Sequence, residues 1–195
     1  MISLDVNEIL QLSTGFMGGL TLVFVGRWIA RRLGQVLSVT IRFSPRGGCQ
    51  DAIVQELQKA RKEIFVQAYS FTADPLTYAL VDAKKRGVNV VIVLDKSHEI
   101  DKYSDLRIFL EQGMSPLIDA EHAIAHNKII VIDKKVVVTG SYNFTNQAEG
   151  ENAENVVIIK GHPQIAKMYR DNFLVHKAHS KPAELKAQIQ NRRAA

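Results

Sequence analysis

The sequence predicts an α/β domain, one mixed β-sheet layered between α-helices, preceded by an N-terminal hydrophobic helix. Three observations carry that reading. From residue 38 onward, short β-branched runs alternate with stretches whose apolar residues recur at helical spacing. Two of the runs, 129–132 and 136–139, are separated only by Asp133-Lys134-Lys135, which reads as a hairpin or tight strand connection. Ahead of all this, residues 9–26 form 18 positions without a charge.

Taken in order, residues 38–43 read as a strand and Ser44-Pro45-Arg46-Gly47-Gly48 as a loop. Ile53, Leu57 and Ala60 share one helical face over about 49–62. A strand over 64–70 leads into Phe71-Thr72-Ala73, and Asp74-Pro75 opens a second helix with Asp74 as its N-cap. Gly87 ends that helix, and the apolar run 88–94 reads as a buried strand. A third helix is expected over about 103–112, stopped by Gly113. After the 129–139 pair come a strand over 155–159 and a helix over about 163–175. The organisation is thus an N-terminal segment (1–37), an α/β domain (38–180) and a polar, basic tail (181–195).

The N-terminal segment reaches the lower length limit for a membrane span. Asp5 and Glu8 precede it, while Arg27, Arg31 and Arg32 follow, the reverse of a secretory signal's charge order. It reads as an uncleaved anchor with the C-terminal body in the cytoplasm. A cleaved signal would instead place the domain in the periplasm or outside the cell, and a buried or interfacial helix is the third reading.

Composition narrows the chemistry. At 195 residues the chain suits one domain with a core able to fold independently. The net charge is +5, compatible with phosphate-bearing partners. A single cysteine, Cys49, excludes an internal disulfide and argues against a structural zinc site; it reads as a small buried residue near a helix start.

The pattern that carries function is His126-x-Lys128-x4-Asp133-x6-Gly140-Ser141-x-Asn143. Residues of these types at fixed spacing arise by chance on the order of once in 10^4 chains of this length, so the pattern is a motif. His126 offers a nucleophile or proton carrier near neutral pH, and Lys128 a fixed positive charge. Ser141 and Asn143 offer neutral donors for phosphate oxygens. In extended chain, His126 and Lys128 share a face, as do Ser141 and Asn143. Asp133 has the opposite parity and sits at the turn, which argues for support rather than direct chemistry.

This motif resembles the HKD signature of the phospholipase D superfamily, and more narrowly the small single-motif bacterial endonucleases of the Nuc type. The resemblance spans about residues 38–176. It includes Ala68-Tyr69-Ser70-Phe71-Thr72-Ala73, Ala83-Lys84-Lys85-Arg86-Gly87-Val88, Asn143-Phe144-Thr145 and Glu154-Asn155. It implies a phospholipase D/nuclease-like fold and a metal-independent phosphodiesterase working through a phosphohistidine. The implied catalytic residues are His126, Lys128, Asp133 and Glu154, with Lys128, Ser141 and Asn143 binding phosphate. Glu154 would hydrogen-bond the far ring nitrogen of His126, as relatives place a carboxylate there. No second copy of the motif is present, so the resemblance implies a homodimer with one site across its two-fold axis.

An endonuclease acting on DNA or RNA is the first reading of substrate. A phospholipase D acting on membrane lipids is the alternative, and a non-catalytic phosphate-binding membrane protein is a third. No cofactor and no metal are expected, since no cluster of metal-ligand residues stands at recognisable spacing. His98, His122, His162, His176 and His179 read as surface or structural residues, with His122, four before His126, the one to watch.

Overall fold

The structure, a computed structural model, describes residues 37–184. The expected N-terminal hydrophobic helix and the tail beyond residue 184 lie outside the described residues. Among the described residues no helix is long and apolar enough to cross a membrane.

The described chain builds an eight-stranded mixed sheet with helices on both faces, as the alternating pattern predicts. The strands are β1 (Ser38–Phe43), β2 (Glu63–Ala68), β4 (Asn89–Asp95), β5 (Leu117–Asp119), β6 (Lys128–Ile132), β7 (Val136–Gly140), β9 (Asn155–Lys160) and β10 (Lys181–Pro182), in the order β1-β9-β7-β6-β2-β4-β5-β10. Two short segments, β3 (Phe71–Thr72) and β8 (Phe144–Thr145), pair in parallel as a separate two-stranded sheet. β2, β4 and β5 run parallel to one another, and the remaining neighbours of the large sheet are antiparallel.

The helices are α1 (Cys49–Lys59), α2 (Asp74–Lys85), α3 (Leu106–Glu111), α4 (Asn146–Gly150) and α5 (Pro163–His179). Strand alternation sends Ile64, Val66, Ile130 and Ile132 to one face, where they pack with Ile53, Leu57, Leu76, Leu80 and Phe109 of α1–α3. The opposite residues, Phe65, Ile129 and Val131, meet Phe173 of α5. Phe65 and Phe173 stack with ring centroids 4.9 Å apart and planes 5° off parallel.

Several expected boundaries move, each for a local reason. α1 stops at Lys59: the Ala60 N–H turns to Leu57 O, and the N–H groups of Arg61, Lys62 and Glu63 turn to the Asp133 carboxylate. Ala73, not Asp74, occupies the N-cap of α2, with Asp74 inside the first turn and no side-chain cap bond. α3 begins only at Leu106: residues 96–99 form a 3-10 turn capped by Asp95, and Asp101 caps a further turn through the Tyr103 N–H. α5 runs one turn further than expected, to His179, and Lys181–Pro182 then pairs with β5 rather than beginning a free tail.

Candidate active site

Lys128 opens β6 and Gly140 closes β7, and the register Ile130↔Val138 carries these two ends opposite one another. The parallel pairing of β3 with β8 then lays the chain around Phe71 against the chain around Phe144, bringing Tyr69 and Asn143 to the same end of the sheet. The motif's two halves are thereby adjacent. The hairpin between them is closed by Asp133 and Lys134, both at positive φ (52° and 59°), with the Lys135 N–H donating to Ile132 O at 2.9 Å.

His126 lies just before β6, with an exposed side chain. Its ring sits 4.5 Å from the ring of Tyr69, tilted by 53°. The preceding residue is held in place: the Ala125 N–H donates to Asp95 Oδ2 at 2.8 Å. The following carbonyl, Asn127 O, accepts from the Tyr69 N–H at 3.0 Å. The nucleophile candidate is thus mounted on restrained backbone while its ring faces solvent.

Lys128 is buried, with 8% of its surface exposed. Its ammonium donates to His126 O at 2.9 Å and lies 5.1 Å from the centroid of the Tyr69 ring. Burial pulls its pKa below the ordinary lysine value, against a smaller opposing pull from the charge of Glu154. A desolvated cation beside an exposed imidazole favours an anionic ligand that displaces water.

Ser141 Oγ accepts from both Asn155 N (3.1 Å) and Asn155 Nδ2 (3.3 Å), so the serine proton is left to donate outward. Asn143 is half-buried, and its Oδ1 makes no hydrogen bond. Gly140, at φ 146°, explains its own place in the motif: a Cβ there would stand 2.2 Å from Asn155 O.

Neither Asp133 nor Glu154 hydrogen-bonds His126. Asp133, placed among the catalytic residues by resemblance, sits at the far end of β6 from His126, about 20 Å along an extended chain. Its carboxylate accepts from Arg61 N (2.9 Å), Lys62 N (2.7 Å) and Glu63 N (3.0 Å). It binds the α1–β2 connection to the hairpin turn, the supporting role its parity predicts. The expected Glu154–His126 hydrogen bond is absent. Glu154 is pinned through its backbone to Ser44, with Ser44 N donating to Glu154 O (3.0 Å) and Glu154 N to Ser44 Oγ (3.2 Å). Its carboxylate accepts from Asn152 Nδ2 at 3.4 Å and reaches the site as charge felt by Lys128.

Tyr69, Asp95 and Asn155 complete the arrangement, and only the resemblance touched any of them. Asp95 carried no signal, because its partner Ala125 is 30 residues away. A second cluster of side chains lies elsewhere in the domain. Asp119, His122, His176 and His179 lie together, with the ligand atoms of all four within 4.8 Å of one another. The paired spacings 119/122 and 176/179 are visible in the sequence, but their convergence depends on how α5 crosses the sheet.

Comparisons with known proteins agree with this geometry. Residues 53–176 match the family model described as cardiolipin synthase, PLD-like domain. A protein of Rickettsia typhi named phospholipase D is 44% identical over 141 residues, covering 72% of this chain and 69% of that protein. The mitochondrial cardiolipin hydrolase of Danio rerio is 29% identical over 140 residues, 71% of this chain and 61% of that protein. The crystal structure of Nuc from Salmonella typhimurium, a phospholipase D family member, superposes with a TM-score of 0.72 at 33% identity, covering 76% of this chain and 99% of Nuc.

Proposed function

From the premise that this chain belongs to the phospholipase D superfamily and is one of its phosphodiester hydrolases, we propose that it is an endonuclease cleaving DNA or RNA without a metal at the reaction centre. The observation that carries the reaction is the exposed His126 ring tilted against Tyr69, with the buried Lys128 ammonium bonded to the His126 carbonyl. Support for nucleic acid comes from the net charge of +5 and from the likeness to Nuc along nearly its whole length.

In this reading two chains contribute one His126 each to a shared site, since a single chain carries one copy of the motif. One His126 attacks phosphorus, forming a P–N bond as the bond to the leaving oxygen breaks. The partner's His126, protonated, gives that oxygen its proton. The same imidazole then takes a proton from water, whose oxygen attacks phosphorus and breaks the P–N bond. Lys128 and Asn143 of both chains hold the non-bridging oxygens, with Ser141 donating its free proton. The N-terminal 37 residues would tether this dimer to a membrane.

A second reading, a phospholipase D on membrane lipids, is favoured by one feature. Ile100, Tyr103 and Ile124 are 57–70% exposed, on the segments leading from His98, which holds Tyr69 O, and into His126. Exposed apolar side chains on segments flanking the motif suit a bilayer surface. Incubating the purified protein in EDTA with DNA, with RNA and with phospholipid vesicles tests both readings. Cleavage of nucleic acid supports the first, release of headgroup alone supports the second, and inertness toward all three overturns both.

A further inference from the structure

The Asp119 cluster shares no residue with the groups proposed for phosphodiester chemistry, although Asp119 pairs with Asp95 across β4 and β5. Asp119 closes β5 and is fully buried. Its Oδ2 lies 2.7 Å from His176 Nδ1 and 3.2 Å from His122 Nδ1, and its Oδ1 lies 3.2 Å from His179 Nε2. The Glu121 N–H donates to Oδ1 at 3.1 Å. The three imidazole rings are mutually close, with centroids 4.8–5.5 Å apart. His179 Nε2 is buried and makes no well-aligned hydrogen bond. Three rings converging on one buried carboxylate make a donor set suited to a borderline divalent cation.

We propose that Asp119, His122, His176 and His179 bind one divalent transition-metal ion of the zinc class. Bonds of about 2.0–2.1 Å in a tetrahedron put ligand atoms about 3.3 Å apart, inside the 4.8 Å spread seen here. His176 and His179, three apart on the last turn of α5, face the same way. Glu121 N–H holds the carboxylate's other oxygen and so orients the ligand. With four protein donors the site is closed, which makes the ion structural rather than catalytic. It would clip the loop running from Asp119 to His126 onto the end of α5. That loop is otherwise held by Ala125 on Asp95 and by Lys96 Nζ on His122 O (2.9 Å).

The test uses the full chain without a polyhistidine tag, stripped of metal by chelator and titrated with Co²⁺, a spectroscopic stand-in for Zn²⁺. The expected result is one Co²⁺ per chain with the intense visible bands of tetrahedral coordination, abolished by Zn²⁺. Zn²⁺ at a hundredfold excess over its Kd should raise the Tm by roughly 5–10 °C. His122→Gln and His179→Gln, at partly exposed positions, should each weaken binding at least about tenfold, while His126→Ala binds Co²⁺ as the parent does. Absence of tetrahedral Co²⁺, or binding unchanged in both glutamine variants, overturns the site and leaves a hydrogen-bonded histidine cluster. The readout is spectral, so it stands or falls independently of phosphodiesterase activity.

Discussion

The Lys128 ammonium donates to the backbone carbonyl of His126 at 2.9 Å, so the motif's cation folds back onto the residue proposed to attack phosphorus. The Tyr69 ring borders both side chains. A lysine so placed has little rotamer freedom left to lose when substrate arrives, which is how a positioned charge contributes to the transition state. Replacing it by a neutral side chain of similar length removes charge but little volume. Lys128→Met should therefore lower kcat by at least about 10^2–10^3-fold with the fold retained. His126→Ala should lower it further, by several orders of magnitude, since it removes the proposed nucleophile itself. Steady-state rates checked against circular dichroism decide this, and a near-parental rate in His126→Ala would refute the assignment.

Chelation should separate chemistry from stability. In the proposed mechanism Lys128 supplies the positive charge that metal ions bring to other phosphoryl-transfer sites, so turnover at moderate temperature should persist in EDTA. The Tm should fall as the proposed ion leaves Asp119. Loss of turnover in EDTA with recovery on adding Mg²⁺ would contradict the mechanism.

Asp133 gives the opposite pattern. Asp133→Ala strips the partner from three backbone N–H groups at the start of β2, costing about 2 kcal/mol of stability. The rate per folded molecule should hold close to the parental value at low temperature. Denaturant unfolding beside active-site-normalised kinetics measures both.

These contrasts show what the chain reveals of itself. The sheet, its alternating faces and the hairpin were legible because strand and helix periodicity is local, and the motif was legible because its spacing is short. β5 and β10 were not, being two or three residues long and stabilised by pairing rather than composition. Glu154 shows the limit of resemblance, since its side chain is placed by the backbone bonds between Ser44 and Glu154, 110 residues apart. The Asp119 cluster was hidden for the same reason, with 57 residues separating Asp119 from His176.

Asp105 makes stability depend on pH. It is buried and accepts from Thr77 Oγ1 at 2.5 Å. Burial pushes its pKa from 3.8 up to about 6, against the Thr77 bond, which lowers it. Between these values the folded state holds a proton that the unfolded chain releases, so stability falls as pH rises from about 4 to about 6. Asp105→Asn keeps an acceptor for Thr77 and removes the charge. The fall, on the order of 2–3 kcal/mol, should flatten in urea unfolding measured across that range. A slope unchanged by the substitution would show that Asp105 ionises freely in the folded protein.

A shared site makes the sharpest prediction, because one chain holds half of the proposed constellation. The reaction needs one unprotonated imidazole as nucleophile and one protonated imidazole as acid. Two equivalent His126 rings facing one phosphate must divide these two roles, so the rate should fall at both pH extremes. A His126→Ala chain paired with a parental chain keeps one ring and loses either nucleophile or acid. Such heterodimers should be nearly inactive, except toward substrates whose leaving group departs without a proton. Under exchanging conditions, excess inactive chain should then depress activity far below simple dilution. If activity instead tracked the number of parental chains, each chain would carry a complete site, and the two-fold model would be wrong.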